Sequence, residues 1–423
     1  MATTREFRSA EIIAVGSELL TAQRIDTNSQ FLVRRLNEIG IAVRARLIVG
    51  DERSALSSAL GQALASVDVV ITTGGLGPTD DDLTREVASS VLDRPLDEDD
   101  AIVAQIRERF QRRGWTMPEI NRRQALVPRG AVVLVNRFGT APGLMMHAPE
   151  GQLVVLLPGP PREMEPMFEG EVAPVLAQGA HGRQLRRRSI FITGRSESQV
   201  EEIAYPIYAR LAEGPVPVET TILATPGQIE LHLTAAGPDA TALEARLDEG
   251  VAALVAALGP IVFSVDGRPL EAVVGELLAR RDWRLAAAES CTGGLLLGRL
   301  TSVAGSSGWV AGGVVAYADD VKVRELGVSP EVLRAYGAVS EPVAEAMARG
   351  VQARLRADVG VGITGIAGPG GGTPEKPVGT VVLAVATAFG DVAVRTVQFP
   401  GDREAVRRHT TSAALDMVRK VLG

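Results

Sequence analysis

The sequence predicts an α/β protein of several domains: a doubly wound N-terminal domain (1–170), a small α+β module (171–258) and a C-terminal α/β domain (259–423). Three observations support this. The 423 residues exceed what one ordinary core accommodates. Apolar, strand-like runs alternate with runs of helical period. Glycine-rich loops follow two of the apolar runs, as they do where a parallel strand ends at a binding crevice.

In the first domain, residues 11–15 form a short apolar strand. Residues 27–39 carry Phe31, Leu32, Leu36 and Ile39 at helical spacing. A strand at 43–49 and a helix at 54–65 follow. Residues 67–72 (VDVVIT) are the kind of run buried on both faces of a parallel sheet, and they enter the loop 74–78 (GGLGP). Helices are expected at 83–92 and 99–113, and strands at 132–135 and 153–157. The middle module reads as strand 189–193, helix 196–211, a proline-rich turn at 214–217, strand 228–234 and an alanine-rich helix at 239–257.

Residues 259–270 (GPIVFSVDGRPL) make a boundary. Beyond it, 270–281 is amphipathic, with Val273, Val274, Leu277 and Leu278 on one face. Strands are expected at 284–288, 309–317, 359–364, 378–387 and 392–399. Helices are expected at about 293–301, 320–326, 341–355 and 404–421.

Composition narrows the function. Net charge is −7, from 44 basic and 51 acidic residues, so direct nucleic-acid binding is not expected. The basic run 181–188 (HGRQLRRR) reads as a strand edge or linker. The single cysteine, Cys291, excludes an internal disulfide and a multi-cysteine zinc site. No apolar signal region opens the chain, and the apolar stretch near 251–263 is broken by Gly259-Pro260. A cytoplasmic protein without membrane association is expected. Lysine occurs only at positions 322, 376 and 420, while every other basic side chain of the Lys/Arg type is arginine. In such a chain a lysine can mark a position where a permanently charged guanidinium does not serve.

Residues 288–294 (AESCTGG) lie where a strand hands over to a helix. Amides at such a turn form an anion site, so Ser290 suits a nucleophile whose oxyanion rests on them. The same pattern suits Ser290 or Thr292 as a helix N-cap. A serine needs a base. His409 sits in Arg407-Arg408-His409 with no orienting carboxylate in view, Lys376 lies in a proline-flanked loop, and Lys420 is expected to be solvated near the chain end. Lys322 is preferred, in the first turn of a short helix that Asp319 caps. There the helix dipole disfavours an ammonium while the neighbouring carboxylates favour one. The alternative is a surface lysine. Cys291 is either a rival nucleophile or a small buried hydrophobe. The loop 364–372 (TGIAGPGGG) suits close approach to a phosphate or ribose, and Arg403, Arg407 and Arg408 could clamp a phosphate.

In the first domain, residues 72–84 (TTGGLGPTDDDLT) combine glycines that admit a phosphate with carboxylates that suit a hard cation. Residues 16–18 (GSE), 26–28 (DTN), 139–143 (GTAPG) and 157–161 (LPGPP) share the same strand-end crevice in a parallel sheet. The aspartates could equally be an N-cap with solvated charge.

The strings AESCTGG (288–294), GSS (305–307), GGVVAYADDVK (312–322), GAVSEPVAEAMA (337–348), TGIAGPGGG (364–372), KPVGTV (376–381) and GDREAVRR (401–408) resemble the C-terminal domain of the CinA (competence/damage-inducible) family. Stand-alone relatives of that domain are nicotinamide mononucleotide deamidases. The resemblance implies Ser290 as nucleophile, Lys322 as base with Tyr317 nearby, and Thr364, Gly365 and Gly368 lining the site. Thr292, Gly293 and Gly294 would contact substrate, one of Arg403, Arg407 and Arg408 would hold the phosphate, and no cofactor is implied.

GSELL (16–20), DTN, TTGGLGPTDDD (72–82), GTAPG and LPGPP resemble the molybdopterin-binding (MoaB/MogA-like) domain found at the N-terminus of CinA proteins. That resemblance implies metal-dependent cleavage of ADP-ribose to AMP and ribose 5-phosphate. It makes Glu18, Asp26, Asp81 and Asp82 candidate ligands of a divalent cation, with K+ as a further candidate ion. Gly74, Gly75, Gly77, Asn28 and Thr84 become candidate substrate contacts. The middle module resembles the family's KH-like domain but lacks a GxxG loop, so a spacer or dimerisation role and a homodimer are expected. Two alternatives stand beside the bifunctional enzyme: an amidase whose N-terminal domain binds a pterin or nucleotide without turnover, and a protein partner in competence or DNA repair.

Overall fold

The computed structural model describes residues 6–423 and divides into two compact units. The first runs as far as Arg186 and includes Ala235–Glu244; the second comprises Arg187–Thr234 and Ala245–Gly423.

The first unit begins with β1 (Ser9–Val15), α1 (Thr27–Ile39), β2 (Ala42–Val49), α2 (Arg53–Ser66) and β3 (Val69–Thr73). It continues through α3 (Thr84–Val91), β4 (Leu96–Glu98), α4 (Asp100–Gln111), β5 (Leu126–Pro128), β6 (Val132–Leu134), β7 (Gly143–His147) and β8 (Leu153–Leu157). It closes with α5 (Pro161–Met167) and α6 (Ala173–Gly179). The main sheet has the order β2-β1-β3-β8-β7-β6; the first four strands are parallel and the last two antiparallel. Strand alternation places Ala10 and Ile12 in one core with Leu32 and Leu36 of α1, and Ile13 and Val15 in another with Leu56 and Leu60 of α2. Helices therefore cover both faces, as the alternating pattern predicts.

The middle segment supplies β9 (Gln184–Ile192), α7 (Glu197–Leu211), β10 (Val218–Thr225), β11 (Gln228–Gly237), α8 (Ala240–Leu258) and β12 (Val262–Ser264), in a sheet ordered β10-β11-β9-β12. The basic run contributes to β9, where Arg188 pairs with Asp248.

The C-terminal part contains α9 (Leu270–Arg280), β13 (Leu285–Glu289), α10 (Leu295–Thr301), β14 (Val310–Val315), α11 (Asp319–Leu326), α12 (Pro330–Tyr336) and α13 (Glu341–Leu355). It ends with β15 (Val359–Gly365), β16 (Thr380–Thr387), β17 (Val392–Gln398) and α14 (Arg403–Leu422). Its sheet has the order β14-β13-β15-β16-β17, with parallel pairing around β13 and antiparallel pairing beyond β15. Leu285 and Ala287 face the core with α9, α10 and α14; Ala286 and Ala288 face the core with α11 and α13. Eight elements lie outside the sequence expectations: β4, β5, β7, β10, β12, α5, α6 and α12. No described helix is long and apolar enough to cross a membrane.

Candidate functional site

The C-terminal site forms where β13 ends. Glu289 pairs with Val315 on one side and Ile363 on the other. Ser290 therefore emerges between Ala316 and Thr364. Its amide donates to the Ile363 carbonyl at 2.9 Å, and the Ala316 amide donates to the Glu289 carbonyl at 2.8 Å. Glu289, which the sequence reading left without a role, is fully buried. Its carboxylate accepts from the amides of Gly294 (3.0 Å), Leu296 (3.1 Å) and Leu297 (2.8 Å), satisfying the open first turn of α10. A glutamate entering a helix N-terminus is the sequence signal that could have found it. Neither Ser290 nor Thr292 caps that helix, whose N-cap is the left-handed Gly294.

The Ser290 side chain is 8% exposed, and among the described residues its hydroxyl makes no hydrogen bond. Lys322 is 1% exposed and belongs to the buried face of α11, which excludes the surface-lysine reading. Its amine donates to the Tyr317 carbonyl (3.2 Å) and the Asp319 carboxylate (3.0 Å). Asp319 is not the N-cap; Ala318 is, and Asp319 instead turns its carboxylate back to Lys322 one turn on.

The N-terminal turn of α14 ties the loops together. Arg403 donates to the Gly368 carbonyl (2.8 Å) and to the Tyr317 hydroxyl (3.0 Å). Arg407, one turn later on the same face, donates to the Thr292 carbonyl at 2.8 Å. Arg408 lies further round the helix, exposed and paired with Glu404, and is not brought to this cluster. Thr364 is buried and donates to the Ala338 carbonyl at 2.8 Å. Among the described residues the buried Thr292 hydroxyl has no partner. Gly293 lies beside the Arg407 guanidinium, and Gly365 presses against β16.

The rival groups are used otherwise. Burial pushes the Cys291 thiol up to about 12, which leaves it protonated at neutral pH. His409 stacks on Phe399, and burial lowers its proton affinity. Lys376 holds the Tyr336 and Val339 carbonyls. Lys420 is not simply solvated: it pairs at 2.7 Å with the buried carboxylate of Asp416.

In the first unit the ends of β1, β3 and β8 open into a cavity of about 510 Å³. Gly74, Gly75 and Gly77 line it, with Asp81 and Asp82. A Cβ on Gly75, which has φ +66, would lie 2.2 Å from the Thr84 hydroxyl, so glycine is required there; one on Gly77 would lie 2.3 Å from the Asp82 carboxylate, which would have to swing away. Arg109, Arg113 and Arg162 add three cations that the sequence reading missed, because each sits in an ordinary helical or loop context. A second lobe of about 390 Å³ shares Val15, Glu18, Gly159 and Pro160 with the first and carries Asp26 and Asn28.

The proposed cation ligands are thus split between lobes. Glu18 borders both, Asp81 and Asp82 face the first, and Asp26 caps α1 by accepting from the Ser29 amide. Asp82 accepts from the Thr79 amide (2.9 Å) and hydroxyl (2.5 Å). Among the described residues no three His, Cys, Asp or Glu side chains converge on one point. Asn28 donates to the Gly159 carbonyl at 2.7 Å. Thr84 is buried behind the loop and does not face the cavity.

The chain resembles known proteins along nearly its whole length. Residues 267–422 match the model of the CinA C-terminal domain, and residues 11–178 match that of the probable molybdopterin binding domain. A putative competence-damage inducible protein of Symbiobacterium thermophilum is 44% identical over 423 residues, spanning 98% of each chain. A CinA-like protein of Acidobacterium capsulatum is 44% identical over 416 residues, spanning 98% of this chain and 99% of its own. Among solved structures, the competence/damage inducible protein CihA of Agrobacterium tumefaciens is 42% identical, with a TM-score of 0.36 over 36% of this chain and 93% of its own. On the strength of these full-length relatives, the chain belongs to the CinA family.

Proposed function

We propose that the chain is a two-site enzyme of pyridine-nucleotide recycling, with nicotinamide mononucleotide deamidation at Ser290 as its best-supported activity. The carrying observation is a buried lysine, Lys322, at the sheet end from which an unengaged serine hydroxyl emerges. Lys322 in its neutral form takes the Ser290 proton, and Oγ adds to the carboxamide carbon. The amides of Cys291 and Thr292, which have no partner among the described residues, receive the oxyanion. Collapse breaks the C–N bond, and the proton held by Lys322 leaves with the departing nitrogen as ammonia. Water then cleaves the acyl-serine ester to give the carboxylate of nicotinate mononucleotide. Lys322 must leave Asp319 to act, a tightening expected only once substrate is present. In this reading Arg403 and Arg407 receive the phosphate. The test is ammonia release from nicotinamide mononucleotide: Ser290→Ala must abolish it, and full turnover by that variant would end the assignment.

For the first unit we propose metal-dependent hydrolysis of ADP-ribose to AMP and ribose 5-phosphate. The paired lobes suit a ligand with two sugar-bearing arms joined by a diphosphate at the glycine loop. Glu18, Asp81 and Asp82 suit a cation held by one or two carboxylates, with phosphate oxygens completing its shell. Such a cation would neutralise the diphosphate and activate water. The absence of a three-carboxylate cluster among the described residues favours a second reading, binding without turnover. Incubation with ADP-ribose and Mg²⁺ or Mn²⁺ separates the two, since AMP appears only under the first.

A further inference from the structure

Among the described residues Arg85 is the largest fully buried side chain, with 0% exposure. The expected place of an arginine on a short helix is its solvated face. Its guanidinium makes one hydrogen bond, from Nη2 to the Leu76 carbonyl at 2.8 Å. Among the described residues, neither Nε nor Nη1 has a partner, and both are buried. Glu86 and Asp82 act on it only through space, and Glu86 pairs with Arg123 through one oxygen while its other oxygen is buried. Burying an under-bonded cation costs several kcal/mol of order. The fold retains one directly behind the glycine loop.

Its neighbour completes the picture. The Thr84 hydroxyl donates to the Gly74 carbonyl (2.9 Å), and the Thr84 amide donates to the Gly75 carbonyl (3.1 Å). With Arg85 on Leu76, three consecutive carbonyls point toward the start of α3. In a planar trans peptide the C=O of one residue and the N–H of the next point in opposite directions. The amides of Gly75, Leu76 and Gly77 therefore point away from α3, on a loop whose residues all line the cavity. None of the three has a partner among the described residues. Successive amides aimed in one direction form an anion seat.

We infer that Arg85 is a positioning residue for this anion seat. It holds the Leu76 carbonyl back so that the amides face the ligand, and it places an under-compensated positive charge behind them that a bound diphosphate balances. The inference rests on reading the cavity as a diphosphate site, and the test keeps the two apart.

Calorimetric titration uses the full chain with inorganic pyrophosphate and, separately, ADP-ribose. In Arg85→Met, pyrophosphate affinity falls on the order of tenfold or more, the size expected for losing a charge-assisted contribution. Its melting temperature without ligand stays level or rises, because an unpaired buried charge is replaced by an apolar chain. The ligand-induced rise in melting temperature shrinks. Arg85→Lys restores part of the affinity, and serves as the reporter should the methionine variant not fold. Thr84→Val weakens pyrophosphate binding in the same direction. A drop in ligand-free melting temperature with unchanged pyrophosphate affinity assigns Arg85 a structural role and overturns the inference. Absence of pyrophosphate binding by the unsubstituted protein also overturns it. Binding of pyrophosphate but not ADP-ribose leaves the seat standing and sinks only the substrate reading.

Discussion

Lys322 and Cys291 are both buried, and the proposed reading gives them different parts. Lys322 is buried with only two partners for its three donors, the Tyr317 carbonyl and the carboxylate of the exposed Asp319. Lys322→Met keeps the length and removes the base. It lowers kcat for ammonia release about 10²–10⁴-fold, the range for loss of a general base. Lys322→Arg does no better, since a guanidinium does not give up its proton. Cys291 is held as the thiol because burial opposes the thiolate, and its titration near 12 puts the reactive form far above neutral pH. The folded protein therefore resists iodoacetamide from pH 7 to 9, reacting only once unfolded, and Cys291→Ala retains deamidation. A native-state alkylation rate rising near pH 8.5 would contradict this.

The helices and strands carry the next level of the argument. In α14, residues 403 and 407 share a face and reach the loops at 317, 368 and 292, whereas residue 408 does not. Arg403→Ala is expected to raise KM for nicotinamide mononucleotide about tenfold or more, from the loss of a charged contact to phosphate. Arg408→Ala stays within about twofold, as for an exposed pair. Steady-state kinetics on the two variants decides it. Some boundaries were legible because the local chemistry is unambiguous. The helix at 27–39 is bounded by Asp26 as a side-chain N-cap and by Gly40 in the left-handed region at φ 89. Strand β10 was not legible: it follows a proline-rich turn, and most of its side chains are exposed, so no apolar alternation marks it. Strand β7 was hidden because its sequence is apolar on both faces and adjoins a glycine-proline loop. Ser290 and Lys322 stand out as a pair only with the family resemblance beside them, because the local pattern equally suits an N-cap and a surface lysine. The burial of Arg85 and Glu289 was not legible, because sequence shows polarity but not which polar groups the fold encloses.

At the scale of the whole chain, each candidate site is built on the strand ends of its own sheet, with its own apolar core beside it. Cores that do not share residues predict additive behaviour. Ser290→Ala is expected to leave AMP formation from ADP-ribose unchanged, and Asp82→Asn to leave ammonia release unchanged. A mixed-substrate assay reading both products checks the pair, and a variant that abolishes both would show the sites to be coupled.

The clamp that Glu289 forms on the first turn of α10 has a kinetic consequence. With that carboxylate locked onto three amides, and the next amide bonded to Ile363, the chain cannot swing around Ser290. Only the torsion about its own Cα–Cβ bond remains free. On the proposed reading, Ser290 therefore does not travel to the nucleotide; the nucleotide is carried to it. Any slow rearrangement during turnover belongs to the loops under the Arg403 and Arg407 guanidiniums, and its rate should follow how firmly those two groups hold on.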